Sequence, residues 1–178
     1  MDVLQMMAQA VIFILPSYFA NSIPVLLGGG AAIDGGRKFS DGNRLFGDGK
    51  TIRGFFAGIF AALLVGSIQA VFLPGTAWDI YGGNPHTYVY AGLLLGTGTM
   101  IGDLAGSFIK RRQGVARGKQ SVILDQLTFL FVALAFAYPI ASRMITIEAV
   151  VFLFILTYFA HVAANVLAHK WGLKKVPW

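Results

Sequence analysis

Two aspartates beside a cluster of basic residues are the side chains in this sequence most suited to chemistry. Asp103 lies within a long apolar segment, about two helical turns before the basic residues 110–112, and Asp125 lies at the start of the next apolar segment. Mg²⁺ binds one or two carboxylates and completes its shell with water and phosphate oxygens. Two carboxylates next to cations therefore indicate a site for Mg²⁺ and a phosphorylated substrate. The alternative is that each acid pairs with an arginine or caps a helix.

The spacing around Asp103 places further polar groups on the same side of a helix. Asp103, Ser107 and Lys110 follow one another at i, i+4 and i+7, which puts them on one helical face. This face presents an acid, a hydroxyl and a cation at one end of the segment. For Lys110 alone, a lysine that extends from a helix end toward water is the simpler interpretation.

A glycine-rich loop over residues 28–54 holds the second group of candidates. Its cations, which include Lys50 and Arg53 with Thr51 between them, alternate with glycines. Backbone N–H groups of such a loop can surround a phosphate, and the cationic side chains can bind it. A flexible surface loop is the alternative. Simple binding of anionic lipid heads is disfavoured, because acids interrupt the basic residues.

The last apolar segment carries a stripe of polar side chains. His161, Asn165 and His169 follow one another at steps of four residues, and Asn21 and Gln126 from other segments could face them. Hydrogen bonds between helices, worth about 0.6 kcal/mol on average, explain His169 best. For His161 and Asn165, substrate binding and helix packing are equally good interpretations.

The elements that must position these side chains are membrane-spanning helices. Hydrophobic residues make up 56% of the 178-residue chain and charged residues 12%, against about 25% charged residues in soluble domains. This composition excludes a soluble domain, a disordered chain, collagen and a coiled coil. Segments of about 20 apolar residues can cross a bilayer, and the predicted spans are 3–27, 55–73, 87–109, 123–142 and 145–169. We therefore predict an all-α polytopic membrane protein with five transmembrane helices and a single domain over residues 1–178.

Glycines recur along the third predicted span at spacings near four residues. They are Gly92, Gly96, Gly98, Gly102 and Gly106. Small residues let helices approach each other closely in lipid, where the hydrophobic effect does not drive their association. The third span is therefore expected to pack tightly against its neighbours.

The basic residues predict the orientation of the spans. Of the 14 Lys and Arg side chains, all but Arg143 lie in the loops 28–54 and 110–122 or after the last span. The positive-inside rule then places the N-terminus outside, and the two basic loops and the C-terminus in the cytoplasm. The net charge of +6 is interpreted as this orientation signal and as a surface for phosphates, so no nucleic acid is expected. Because the chain has no cysteine, a thiol nucleophile and Cys-ligated zinc are excluded.

Four stretches of the chain carry a resemblance to a known family. They are Pro16-Ser17-Tyr18-Phe19-Ala20-Asn21, Asp48-Gly49-Lys50-Thr51-Ile52-Arg53-Gly54, Gly102-Asp103-Leu104-Ala105-Gly106-Ser107-Phe108-Ile109-Lys110-Arg111-Arg112, and the closing Pro177-Trp178. Together they resemble the archaeal CDP-archaeol synthases. The stretch 102–125 is also similar to the signature of the wider phosphatidate cytidylyltransferase family. The residue after this stretch, Gln126, departs from the bacterial signature, which has arginine there. This difference favours the archaeal, ether-lipid branch.

The resemblance implies a cytidylyltransferase that joins CTP to unsaturated archaetidic acid, 2,3-di-O-geranylgeranylglyceryl phosphate, and releases pyrophosphate. With the residue analysis, it assigns catalytic roles to Asp103, Asp125, Lys110 and Arg111, the two aspartates being ligands of Mg²⁺. The candidate nucleotide- and substrate-binding residues are Lys50, Thr51, Arg53, Ser107, Asn21, Asp48, Arg112, Gln126, His161 and Asn165. The expected partners are CTP, an isoprenoid ether-lipid phosphate and the lipid bilayer. The expected location is the cell membrane, with the active site facing the cytoplasm.

Two other functions could use acids in a membrane protein of this kind. A CDP-alcohol phosphotransferase needs several aspartates at helical spacing along one span, but Asp41 and Asp48 lie in a loop, which excludes it. A small proton-coupled transporter or channel is the main alternative, because acids and histidines within the membrane suit proton transfer. Against it, both key acids lie near the same membrane face and no charged residues continue toward the other. The oligomeric state is left open.

Overall fold

The computed structural model describes residues 2–115, 124 and 127–172. These residues form five helices with a 3-10 turn before the last one. The helices are α1 Val3–Leu27, α2 Ile52–Phe72, α3 Pro85–Arg112, α4 Thr128–Ala141 and α5 Ile147–Lys170, and the turn is Ser142–Met144. Within the described residues, β pairing is limited to two isolated bridges. The predicted all-α class is confirmed.

Four of these helices, α1, α2, α3 and α5, are long and apolar enough to cross a membrane. The α4 helix is shorter than the predicted span 123–142, since part of that span lies outside the described residues. α1 has the predicted bounds, while α2 and α3 begin earlier than their apolar segments. Side-chain caps explain those starts, because Thr51 accepts a hydrogen bond from the Gly54 N–H and Asn84 accepts one from the His86 N–H.

The α3 helix lies between α2 and α4 and approaches both through glycines. A Cβ atom added at Gly66 of α2 would lie 2.6 Å from the Tyr88 carbonyl oxygen and 3.0 Å from the Gly92 Cα of α3. On the side of α4, a Cβ added at Gly102 would lie 2.6 Å from the Phe129 Cα. Both contacts are backbone to backbone, so the prediction of close packing along this span is confirmed.

Buried polar groups also connect the helices. The hydroxyl groups of Ser17 in α1 and Thr99 in α3 lie 2.5 Å apart, and both residues are fully buried. Gln69 in α2 donates to a main-chain carbonyl of α1 at 2.7 Å. In a medium without water, each polar group needs a partner inside the protein, so these bonds favour one arrangement of α1, α2 and α3.

The loop between α1 and α2 is folded around a buried carboxylate. The Asp34 side chain, which is 0% exposed, accepts hydrogen bonds from Arg44 Nη2 at 2.5 Å and Arg44 Nε at 3.2 Å. It also accepts the main-chain N–H groups of Gly36, Phe46 and Gly47 at 3.1, 3.0 and 2.9 Å. The Arg44 guanidinium, and then these N–H groups, hold the pKa of Asp34 well below its usual range although burial raises it.

A second anchor joins this loop to the end of α3. The guanidinium of Arg112 packs against the rings of both Phe39 and Phe108, 4.9 and 4.7 Å from their centroids. Its Nη2 donates to the Arg44 carbonyl at 2.7 Å, and its Nε lies 2.7 Å from Asp41 Oδ2. The loop therefore covers the end of the bundle at which α1 and α3 end and α2 begins.

The contact between α2 and α3 can be tested with Gly66→Val. The added side chain would meet the α3 backbone, and overpacking of this kind costs about 1–3 kcal/mol. We expect a lower thermal unfolding midpoint for the detergent-solubilised protein. Leu64→Ala is the matched control, because Leu64 lies on the outward face of the same helix and is 51% exposed. Equal midpoints for Gly66→Val and the control would contradict the close contact.

The role of Asp34 can be tested with Asp34→Asn. The amide removes the buried charge that Arg44 binds and leaves the partly buried guanidinium with the exposed Asp48 as its remaining carboxylate partner in the loop, a change that costs about 3 kcal/mol. We expect much faster amide hydrogen exchange across residues 36–47. Asp48→Asn is the control, because the Asp48 side chain is 62% exposed and contacts the same arginine, and it should change exchange little. Wild-type exchange rates in Asp34→Asn would contradict the role given to Asp34.

Candidate active site

A cleft lies where the loop meets α1, α2 and α3. Its polar side chains are Lys50 and Thr51 from the end of the loop and Asp103 from α3. Its larger apolar side chains are Pro24, Ile33, Phe55, Met100 and Leu104. The cleft therefore offers charged groups and a hydrocarbon surface side by side.

An ion pair between the loop and α3 forms the charged part of the cleft. Lys50 Nζ donates to Asp103 Oδ1 at 2.7 Å and to Oδ2 at 2.6 Å. The two side chains are 27% and 30% exposed, so both are accessible from the cleft. A carboxylate within an apolar helix needs a cation or a hydrogen-bond donor nearby, and Lys50 supplies both. The structure thus brings together two candidates that are 53 residues apart in the chain.

The main chain at Lys50 is held on both sides. Its carbonyl accepts the Ile33 N–H at 2.8 Å, and its N–H donates to the Gly47 carbonyl at 3.1 Å. Two residues later, the Ile52 N–H donates to the Ala31 carbonyl at 3.0 Å. Because the N–H of Gly47 is itself bound to Asp34, the buried carboxylate fixes the turn that delivers the lysine.

Thr51 and Arg53 hold the junction between α1 and α2. The Thr51 hydroxyl caps α2 through the Gly54 N–H at 3.1 Å and also accepts a main-chain N–H from the start of the loop. The Arg53 guanidinium donates to the carbonyl of Leu27 at 2.8 Å and to that of Gly28. These carbonyls lie at the C-terminal end of α1, where a cation stabilises the helix. In this conformation the cation of Arg53 is thus bound to the protein.

The remaining candidates on α3 lie beyond Asp103 along the helix. Ser107 is buried and is 3% exposed. Lys110 and Arg111 are in the last turn. Arg111 Nε is buried and has no hydrogen-bond partner among the residues that the structure describes. A buried guanidinium N–H that lacks a protein partner suits an anionic ligand.

Other candidates do not line the cleft in the described structure. Asp48 contacts Arg44 Nη1 at 2.7 Å on the exposed side of the loop, and Arg112 anchors the loop as described above. Asn21 is half-buried on α1, and Asn165 is buried on α5.

Three further candidates lie outside the described residues. Asp125 and Gln126 are not described at all, and the His161 side chain is not described although its backbone belongs to α5. Their predicted roles therefore stay predictions.

Two kinds of residue were missed by reasoning from sequence. Asp34 organises the loop, and the signal was present, since an aspartate followed by two glycines favours a turn in which its side chain accepts the N–H two residues later. That bond is formed with Gly36. The apolar residues of the cleft, such as Phe55 and Met100, had no comparable signal, because an apolar residue that faces a ligand resembles one that faces lipid.

The donor set of the cleft fits a magnesium ion that is shared with a phosphate ligand. Among the described residues there is no group of three or more acidic or histidine side chains, which makes a site built entirely from protein ligands implausible in this part of the chain. Mg²⁺ often uses only one or two carboxylates. Asp103 supplies one that already holds a cation, the Lys50 ammonium, with both of its oxygens.

Comparisons with known proteins identify the family of this chain. The family model described as CarS-like, CDP-archaeol synthase, matches residues 3–178. The CDP-archaeol synthase of Thermococcus gammatolerans is 50% identical over 178 residues, which cover 100% of both chains. That of Pyrococcus horikoshii is 47% identical over 166 residues, which cover 93% of this chain and 94% of the relative.

A solved structure is similar as well. It is described as an intramembrane enzyme for archaeal membrane lipid biosynthesis, and it superposes with a TM-score of 0.75 at 36% identity. The match covers 88% of this chain and 92% of that one. With the apolar helices, it supports a multi-pass membrane protein. The resemblance found in the sequence is confirmed, and this chain belongs to the CarS-like family of CDP-archaeol synthases.

Proposed function

We propose that this protein is a CTP-dependent cytidylyltransferase that converts unsaturated archaetidic acid, 2,3-di-O-geranylgeranylglyceryl phosphate, to CDP-archaeol and releases pyrophosphate. The observation that carries the proposal is the Lys50–Asp103 pair in a partly apolar cleft, in a chain whose full-length relatives are CDP-archaeol synthases. Membership of an enzyme family also favours this reaction over the transporter or channel. The partners of the reaction are CTP, the isoprenoid ether-lipid phosphate and the bilayer that contains the lipid.

The reaction joins two anions. An oxygen of the lipid phosphate forms a bond to the α-phosphorus of CTP, and the bond from that phosphorus to the bridging oxygen breaks, so that pyrophosphate leaves. A phosphate monoester has a second pKa of about 6 and is largely a dianion at neutral pH, so no strong general base is needed. The protein has to reduce the repulsion between the reactants and stabilise charge on the leaving pyrophosphate.

The cation in the cleft and the cations in the last turn of α3 suit these tasks. Lys50 lines the cleft, and we assign it, with Lys110 and Arg111, to the triphosphate and the lipid phosphate. The buried Arg111 Nε, for which the described part of the chain supplies no hydrogen-bond partner, supports this assignment. The hydroxyl groups of Thr51 and Ser107 are proposed as additional donors. For the other predicted binding residues the contacts of the described structure supply no added support.

Asp103 is the proposed magnesium ligand in the described part of the chain, and Asp125 is the expected second one. When bound, Mg²⁺ would neutralise charge on the triphosphate and on the leaving pyrophosphate. Asp103 is suited to this role because its carboxylate faces the cleft and is partly exposed. Phe55, Met100 and Leu104 lie beside it and suit the hydrocarbon part of a lipid whose phosphate reaches the same cleft.

The reaction predicts that membranes containing the protein transfer label from CTP labelled in the CMP part to a chloroform-soluble product, given Mg²⁺ and the lipid phosphate. Asp103→Asn should reduce this rate by at least about 100-fold, because even an indirect partner of a metal ligand is worth about 10–100-fold. The amount of protein in the membrane should stay unchanged. Glu148→Gln is the control, since it removes an exposed carboxylate in the first turn of α5 and should keep full activity.

Two outcomes would contradict the proposal. Full activity of Asp103→Asn would remove the metal role of this aspartate. Failure of every lipid phosphate tested, both ether-linked and ester-linked, to accept label would contradict the reaction itself. A clear preference for the ether-linked phosphate is expected.

We also propose that the cleft faces the cytoplasm and that the N-terminus lies outside. The bias of basic residues supports this orientation. The chain contains no cysteine, so single cysteines can be introduced without a background. In intact cells, a membrane-impermeant maleimide should label Ala77→Cys, which lies in the loop between α2 and α3. It should label Lys38→Cys only after the membrane is permeabilised. The reverse pattern would contradict the orientation.

A further inference from the structure

The Lys50 ammonium occupies the position on Asp103 that a metal ion would need. It contacts both carboxylate oxygens, at 2.7 and 2.6 Å. A divalent ion bound directly to this carboxylate would lie about 2.0–2.1 Å from an oxygen. Its charge would then repel the ammonium strongly at such short range. The lysine and the metal therefore compete for one carboxylate.

If the Lys50 ammonium is displaced from Asp103, each of the other acids in the loop is already bound to an arginine. The Asp34 carboxylate already accepts hydrogen bonds from Arg44 and from three main-chain N–H groups. Asp48 also contacts Arg44, and Asp41 contacts Arg112. Among the described residues that line the cleft, Asp103 is the only acid, so we expect a phosphate group that enters the cleft to bind the displaced lysine. Its flexible four-carbon stem and rotatable N–H donors suit such an exchange of partners.

The main chain of Lys50 does not need to move in this exchange. Its N–H and its carbonyl are bound to Gly47 and Ile33, and the turn is held by Asp34. The movement is confined to the side chain, which is 27% exposed to the cleft. A small movement of one group can thus couple two ligands.

We propose that Lys50 is an internal counter-ion that holds Asp103 until metal and polyphosphate arrive together, so that each ligand strengthens the binding of the other. The inference rests on the proposed function, because it takes Asp103 as the metal ligand. Metal alone has to displace the ammonium and leave it without an anion. A nucleotide that binds alone finds Lys50 still paired with Asp103, and the negative charge of Asp103 repels its phosphates. When both bind, the metal binds the Asp103 carboxylate and the lysine binds a phosphate. Each ligand then raises the affinity for the other by the same factor.

The first test measures the binding of Mn²⁺ alone, followed by the electron paramagnetic resonance signal of the free ion. Mn²⁺ prefers the same carboxylate and water ligands as Mg²⁺. In the detergent-solubilised full chain, Lys50→Met should bind Mn²⁺ about tenfold more tightly than the wild type, a change of about 1.4 kcal/mol. Lys50→Arg keeps the cation and should bind as weakly as the wild type. Lys38→Met removes an exposed lysine of the same loop and should also leave Mn²⁺ binding unchanged.

The variants separate the two proposals. If Lys50→Met binds Mn²⁺ no more tightly than the wild type while Asp103→Asn abolishes binding, the counter-ion role is wrong and the metal ligand stands. If Asp103→Asn binds Mn²⁺ like the wild type, the metal assignment itself is wrong.

A second test needs no variant and so does not depend on the folding of one. Acetic anhydride labels lysines in the intact protein, and mass spectrometry reports the rate for each. Mg²⁺ alone should raise the acetylation rate of Lys50 several-fold, and Mg²⁺ with CTP should lower it again, while Lys38 in the same sample stays constant. An unchanged rate at Lys50, at a metal concentration that fills the site, would overturn the inference.

Discussion

Asp34 lies inside the loop between α1 and α2 with its carboxylate surrounded by N–H donors, and the geometry of the cleft follows from that arrangement. A charge removed from water is stable only when donors replace the water. Here Arg44 and three main-chain groups do so. One of these groups belongs to Gly47, whose carbonyl holds the N–H of Lys50. The position of the lysine that contacts Asp103 thus depends on an acid that does not line the cleft.

The bundle below the loop is assembled by a different rule. Lipid offers no hydrophobic gain when helices associate, so shape and polar partners decide the packing. Glycines such as Gly66 and Gly102 bring the backbones of α2 and α4 against α3. The buried pair of Ser17 and Thr99 joins α1 to the same helix. As a result α3, which carries Asp103, is contacted from three sides, while the loop is fixed mainly by charge.

Over the described residues, the helices could be predicted from the sequence to within a few residues, because long apolar segments have few alternatives to membrane helices. The differences lie at the ends, where Thr51 and Asn84 extend α2 and α3 beyond their apolar parts. Lys50 and Asp103 could each be selected as candidates from their types and surroundings. Their contact could not, because a contact between residues 53 positions apart is set by tertiary packing. Asp34 could have been found from its turn, but its burial could not.

The charges that hold the loop also bear on how the site responds to heat. The free-energy penalty for removing ionic groups from water falls as temperature rises, because their hydration carries a strongly negative entropy. Consider two loops that are equally stable at low temperature, one held by an ion pair such as Asp34–Arg44 and one held by weakly polar contacts. At high temperature the loop with the ion pair keeps more of its stability. In such a loop, the position from which the lysine reaches a bound ligand would be kept as the temperature rises.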